Sequence, residues 1–425
     1  MIARILGLLS RFQSHERGNV LMLFAFALIP ILGVVGVAID YGRASQLRTE
    51  LNAAADAAAL SATSNTAILK PVAEAKAAAE KLFDDNAAAL GATGASRTVT
   101  VTENGLIRTA VVSYKTTYQT SLLPLLGFSA IDLANSVTAT GSRAPYIDFY
   151  LLLDNTPSMG VAATQAEITR MEEATKNTRR CAFACHDLNN PNNFYNLAKK
   201  IGIQMRIDVV RKASQELMDT ASKSAKVPGQ YRMASYTMGA SCQGAKLTEV
   251  GSLTENMATA KQKAEAIDLM TIPYDQYNSD MCTNFNAALD ALNAVIPGAG
   301  AGADKDRPQK VVYFVSDGVT DYSNANGCAK PVAGSVRCQE PINTKYCEAL
   351  KQRGIKVAVL YTTYLPLPSD GWYNSWIKPF ASQIPTNMQS CASPGLYFEV
   401  GMNGGISDAM TALFQKIVLN SYLSQ

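Results

Sequence analysis

The segment YIDFYLLLDNTPSMG, residues 146–160, places one carboxylate and two hydroxyls at alternate positions: Asp154, Thr156 and Ser158. Oxygen donors of this kind suit a hard divalent cation. A loop without His or Cys argues against zinc. The five residues before them, 149–153, carry barely a polar group and predict a strand buried on both faces, as a central parallel strand must be. Open α/β sheets bind ligands at the carboxyl edge of their strands, which is where these three residues would fall. Taken alone, the pattern D-x-T-x-S is also an ordinary turn or helix cap.

Two further stretches supply more oxygen. VVYFVSDG ends a second apolar strand with Asp317 and Gly318, and MCTNFNAALDAL sets Thr283 just before a helix. Three loops on one sheet edge would then deliver two carboxylates and three hydroxyls to a common point. With these residues the chain resembles a von Willebrand factor A domain over residues 146–421, and they match its metal-ion-dependent adhesion site. The resemblance implies direct metal contacts from Thr156, Ser158 and Thr283, with Asp154 and Asp317 near the ion or reaching it through water. It implies Mg2+ as the cation, with Mn2+ or Ca2+ as alternatives. Thr156 replaces the commoner Ser and keeps the hydroxyl.

The elements that must position this site fill a long chain. Its 425 residues are enough for two or three domains. A net charge of +3 with 17% charged residues forces no polyanion-binding surface, so nucleic acid is not expected as a partner. All eight cysteines lie between Cys181 and Cys391, which points to disulfides formed in an oxidising compartment. Cys181 and Cys185 belong to the segment CAFACH, ending in His186. That segment is one residue too long for C-x-x-C-H haem attachment. Zinc would need further ligands, and the only other histidine is His15, so disulfide partners are the expectation, with metal as the alternative.

At the amino terminus, residues 1–19 carry Arg4, Arg11 and Arg17 and predict a cytoplasmic tail. Residues 20–39 hold no charge, and as a helix they span about 30 Å, the thickness of a bilayer core. No obvious A-x-A-like cleavage site ends the run, so it reads as a retained, single-pass transmembrane helix, with a cleaved signal as the alternative. The alanine-rich DYGRASQLRTELNAAADAAALSA continues it as a rod. The RGN-plus-apolar run, the ID-YGRA sequence and AADAAAL resemble the amino-terminal region of TadG-like Flp pilus-assembly (tight adherence) proteins, over residues 17–62. The stretch NVLML lacks the Glu that pilins often carry there.

Residues 72–90 predict a second helix, and residues 97–101 and 109–117 a hairpin about Glu103-Asn104-Gly105, with a third strand at 131–140. Residues 40–143 thus form a pilin-like α+β stalk module. Beyond residue 146, strands at 231–238, 246–253, 310–316, 355–361 and 396–400 alternate with helices at 203–220, 254–269, 284–295, 344–353 and 405–419. Residues 161–193 and 321–338 read as Cys-bearing insertions. The fold class is α/β, a doubly wound, Rossmann-like von Willebrand factor A domain after a membrane-anchored module.

The two resemblances together imply a non-enzymatic adhesion or assembly protein for Flp (Tad) pilus biogenesis. It would sit in the bacterial inner membrane with the bulk of the chain in the periplasm or envelope. Its partner would be a protein, such as a pilus-assembly component, that offers an Asp or Glu carboxylate to the bound cation. A structural envelope spacer with a vacant metal site is one alternative. A serine hydrolase is another, because Ser158 and Gly160 make half of a G-x-S-x-G elbow. Thr156, however, stands where the elbow needs a first glycine, and the base would have to be His186.

Overall fold

The computed structural model describes residues 18–178, 180–182, 186–274, 277, 279–364, 371–401 and 405–423. The basic tail before residue 18 and Cys185, both singled out above, lie outside the described residues. The chain divides into two compact units, Met1–Arg143 and Ala144–Gln425.

In the first unit, helix α1 (Gly18–Thr63) runs without interruption through the apolar segment and the alanine-rich one, 46 residues in all. The candidate membrane span lies at its start, where side chains from Val20 to Ile39 are mostly exposed. Pro30 sits inside the helix. From Leu51 onward the helix is buried along Ala54, Ala55, Ala58, Ala59 and Ala62, a face small enough for close approach. Helix α2 (Val72–Ala89) inserts Phe83 against that face.

Strands β1 (Ser96–Asn104), β2 (Ile107–Gln119) and β3 (Ala130–Ser142) form an antiparallel sheet in sequence order. Alternate residues Ala110, Val112 and Tyr114 of β2 join the helical core, as the period of two requires. The hairpin turns at Gly105-Leu106 rather than one residue earlier, since Asn104 still pairs with Ile107. Gly105 has φ +60°, a conformation that suits glycine. Arg108 is buried, and its guanidinium donates to Glu103 and to the carbonyls of Ala67 and Lys70. One side chain of β2 thereby ties the turn after α1 to the sheet and satisfies its carbonyls.

The second unit opens with β4 (Ile147–Leu153), every residue of which is buried. Helix α3 (Gln165–Ala174), the short strand β5 (His186–Asp187) and helix α4 (Phe194–Ile201) follow. Residues 161–193 are therefore not a bare insertion loop. Thr164 caps α3 by accepting from the Glu167 amide, and Met171 is buried, so a local helix forms there.

Helix α5 (Arg206–Ser224) begins three residues later than expected, where the Asp208 carboxylate takes the Met205 amide at 3.0 Å. Then come β6 (Tyr231–Thr237), β7 (Thr248–Thr254), α6 (Met257–Ala264), β8 (Thr271–Ile272), β9 (Cys282–Thr283), α7 (Phe285–Val295) and β10 (Gln309–Ser316). Helix α6 is shorter than its predicted 254–269. Ile267 and Leu269 are buried from the turn beyond it, which is why their apolar spacing mimicked more helix.

Strands β11 (Val319–Ser323) and β12 (Arg337–Pro341) straddle the two ends of the expected insertion at 321–338, pairing antiparallel with each other, while β9 adds to β11. The chain ends with α8 (Lys345–Gln352), β13 (Lys356–Thr362), α9 (Gln383–Cys391), β14 (Tyr397–Val400) and α10 (Ile406–Leu423).

The main sheet has the order β14-β13-β10-β4-β6-β7. All its pairings are parallel except that of β7, which runs antiparallel to β6 at the edge. Numbered along this sheet alone, the order is 3-2-1-4-5-6 read from β7, with β4 as the first strand. Side chains of β4 and β10 alternate between two cores. Phe149, Leu151, Tyr313 and Val315 face one with α5, α6 and α10, and Tyr150, Leu152, Val312 and Phe314 face the other with α7, α8 and α9. Helices cover both faces, so the central strands β4 and β10 are buried almost throughout, while the edge strand β14 is only partly so.

Candidate metal centre

Asp154 is the first residue beyond β4, and its amide is still held in the ladder by the Val315 carbonyl at 3.0 Å. Its side chain is 1% exposed. The chain then turns back on itself. The Thr156 amide and hydroxyl both donate to Asp154 Oδ1, at 2.9 and 2.7 Å. Ser316, the last residue of β10, donates its hydroxyl to Asp154 Oδ2 at 3.0 Å. The Thr156 and Ser158 hydroxyl oxygens are 3.3 Å apart. A hydroxyl that spends its proton on a carboxylate keeps its lone pairs, so Thr156 Oγ1 still has acceptor capacity.

Asp317 follows β10 and is fully buried. Its Oδ1 accepts from the Val319 amide at 3.3 Å, while Oδ2 has no hydrogen-bond partner among the described residues. Gly318 comes next with φ +76°, and a Cβ there would stand 2.8 Å from Met388 Cγ and 2.9 Å from Ile384 Cγ2. Only glycine permits this turn. Burial first and the charge of Asp317 second hold the Asp154 carboxyl well above the usual carboxylate range. Burial raises Asp317 likewise, against the opposing pull of the Arg206 guanidinium and the Ser158 hydroxyl.

Arg206, at the start of α5, is the residue that the pattern D-x-T-x-S did not reveal. It is 7% exposed, feels both Asp317 and Asp154, and donates to the Thr363 carbonyl at 2.9 Å. Asn155 is a second such residue. Its side chain donates to the carbonyls of Gly239 and Asp268 and accepts from the Met238 amide, stapling the loop to the ends of two neighbouring segments. Neither bears a spacing signal, because both act through contacts made only in the fold.

Thr283 belongs to a separate three-stranded sheet, β12-β11-β9. It lies on β9 opposite Asp321 of β11, the strand that starts two residues after Asp317, and is buried. Its neighbour Cys282 is bonded to Cys242. Two more disulfides, Cys328–Cys338 and Cys347–Cys391, are present, so the expected bridges form among six of the eight cysteines. Cys181 is described, and its sequence companion Cys185 is not.

Among the described residues no group of three His, Cys, Asp or Glu side chains comes together. The donors here are two carboxylates linked by hydroxyls. Two adjacent buried carboxylates, one with an oxygen that has no donor, form a site whose charge calls for protons or a cation. Hard oxygen donors of this type fit Mg2+, Mn2+ or Ca2+. Ser158 faces Thr156 and Asp317, where a hydrolase serine would face an imidazole.

The family model for Flp pilus-assembly TadE/G-like proteins (Tad) matches residues 18–79. No curated protein matches the chain. Among solved structures, the chain is similar to the vWF domain of the type V pili tip protein Mfa5 from Porphyromonas gingivalis, with 10% identity, a TM-score of 0.39, and coverage of 66% of this chain and 97% of that one. It is similar to a point mutant of the PilB minor pilin from Streptococcus sanguinis, with 12% identity, a TM-score of 0.35, and coverage of 77% and 78%. The VWA domain of SpRpn10 matches with 8% identity, a TM-score of 0.31, and coverage of 64% and 95%. The fold assignment rests on the sheet itself: its order, its single antiparallel edge strand and its helices on both faces. The chain thus carries a segment that matches the TadE/G-like Tad family over residues 18–79, followed by a doubly wound α/β unit of the fold class expected from the sequence.

Proposed function

We propose that this chain is a membrane-anchored, envelope-facing adhesion or assembly protein of Flp (Tad) pilus biogenesis that binds a protein partner through a divalent cation. The observation that supports this most directly is the pair Asp154 and Asp317, both buried, both raised by that burial, and left with an orphaned oxygen at Asp317 Oδ2. Thr156, Ser158 and Thr283 would contact the ion directly, with Asp154 and Asp317 balancing its charge from close by or through water. When bound, the cation supplies an electrophile that accepts a carboxylate oxygen from outside the chain. Thr156 and Ser158 hold neutral lone pairs toward it, and Ser316 keeps Asp154 from turning away. The Tad segment and the apolar start of α1 support anchorage, by our reading in the inner membrane, and the disulfides support exposure of the second unit to the periplasm.

Calorimetric titration with Mg2+ and Mn2+ tests the site. The wild-type chain should bind one ion, and Asp154→Ala and Asp317→Ala should each abolish the heat. An immobilised acidic peptide should retain the wild-type chain with Mg2+ and release it with chelator. Silence from the wild-type protein toward both ions would leave only a structural spacer.

A further inference from the structure

A second feature lies in the first unit, away from the cation site. Residues 116–131, the end of β2, the start of β3 and the turn between them, contain no charged side chain, and their centre reads SLLPLLGF. The turn is built rather than loose. Thr120 and Ser129 pair across its base, the Thr120 hydroxyl donates to the Phe128 carbonyl at 2.7 Å, and the Phe128 amide closes onto Leu123 at 3.1 Å. Such order normally buries apolar side chains, yet Phe128 is 65% exposed and Leu122 39%.

Its position explains the exposure. Asp40, the first charged residue after the apolar run of α1, is fully buried and accepts the amides of Ser121, Leu122 and Leu123 at 2.7–3.1 Å. One turn earlier, a Cβ on Gly36 would lie 3.1 Å from Leu122 Cβ, so glycine lets the loop seat against the helix. The loop is therefore clamped at the level where α1 leaves its exposed apolar band. Exposed Tyr41 and Arg43 stand at the same level, the residue types favoured where a bilayer meets water.

We propose that the loop at residues 121–128 is a second membrane contact, inserting Leu122 and Phe128 into the boundary between headgroups and acyl chains of the bilayer that α1 crosses. The occupant of this apolar surface is phospholipid, because the surface is continuous with the lipid-exposed band of α1. Asp40 is spared exposure to the apolar phase by the three amides it accepts, and those amides are spared by it. A helix held at one point turns freely about its axis; a wedge fixed to its last apolar turn would set its rotation and depth.

The full chain, reconstituted in vesicles of phosphatidylcholine and phosphatidylglycerol, gives the test. In a Trp372→Phe/Trp376→Phe background, single tryptophans are placed at Phe128, Leu122, Phe26 and Leu60, and each is quenched by lipids brominated near the headgroup and by aqueous iodide. Phe128→Trp and Leu122→Trp should be quenched by the bromolipid at least about twofold more than Leu60→Trp and protected from iodide. Access to iodide, or protection from both quenchers, overturns the proposal; the second result would mean that protein covers the loop. Phe26→Trp keeps the outcomes separable, since bromolipid quenching there without quenching at the loop positions rejects the wedge while leaving the anchor intact.

Discussion

The Ser316 hydroxyl donates to Asp154 Oδ2 at 3.0 Å while accepting the Gly318 amide at 2.9 Å. One side chain thus ties the ends of two adjacent parallel strands and shapes the turn that carries Asp317. Ser316→Ala should leave a buried carboxylate oxygen without its donor and lose about 1–3 kcal/mol of stability in urea denaturation. Divalent-cation affinity should fall severalfold by calorimetry, less than in Asp154→Ala. An unchanged affinity would show that Ser316 supports the fold without orienting the site.

Arg206 is the chain's own cation beside the two carboxylates. Arg206→Met should therefore destabilise the metal-free protein by about 3 kcal/mol, since it leaves buried negative charge unbalanced. The same variant should gain more melting temperature from added Mg2+ than the wild type does. Differential scanning calorimetry with and without Mg2+ measures both, and an equal gain in the two proteins would remove Arg206 from the electrostatics of the site.

How much of this was legible depends on whether the signal is local. The β4 and β10 strands announce themselves because strands buried on both faces need unbroken apolar runs, and the final helix because Ile406, Met410, Leu413 and Ile417 recur at helical spacing. Asp154, Thr156 and Ser158 share one turn, so their spacing could be read. Arg206 and Ser316 could not, because their partners lie 111 and 162 residues away in the chain. The β11–β12 ladder was hidden for another reason. Its strands are five residues each, and Cys328–Cys338 closes the loop between them, so a short polar segment holds a form its composition does not favour. Helix α9 was missed because Pro385 lies in it, within the first turn where the absent amide is harmless.

The Cys242–Cys282 bridge spans 40 residues and ends next to Thr283. On a chain-entropy estimate a loop of that size contributes about 4 kcal/mol through the unfolded state. Cys242→Ala/Cys282→Ala should lower the melting temperature and, by freeing Thr283, weaken cation binding. The matching pair Cys347→Ala/Cys391→Ala, whose bridge spans 44 residues, should cost similar stability and leave the binding heat per folded molecule unchanged. Equal binding losses in both pairs would mean that the first bridge acts only through stability.

Asp268 joins the site loop to acid stability. Burial would raise its carboxyl, but Tyr195, the Leu269 amide, Lys199 and Arg211 outweigh burial and hold it below the usual carboxylate range. A folded-state value below the unfolded one gives stability that is present above the ordinary carboxylate pKa and is lost as pH falls through the folded value. Asp268→Asn should therefore be less stable than the wild type at pH 7 and approach it in strong acid. Its backbone carbonyl also receives Asn155, so the variant reports whether that staple survives when the network is cut. Urea midpoints from pH 7 down to pH 2 measure the convergence, and parallel curves would exclude this linkage.

Asp148 separates stability from site chemistry. It is 1% exposed at the start of β4, and register places Arg232 of β6 on one side and Lys310 of β10 on the other. Arg232 grips it with bonds of 2.7 and 2.8 Å, and Lys310, itself buried, donates to Oδ2. Asp148→Asn should cost about 3–5 kcal/mol, because it strands the Lys310 ammonium in a buried setting. Asp148→Leu with Lys310→Met should recover most of that loss, since it removes the two fully buried charges and their desolvation cost and leaves only Arg232, the more exposed partner, to be solvated. Asp148 is at the amino end of the strand whose carboxyl end carries Asp154, so cation affinity per folded molecule should be unchanged in both variants. A double variant no more stable than the single one would mean that the pair stabilises β4 by net attraction rather than merely satisfying two buried charges.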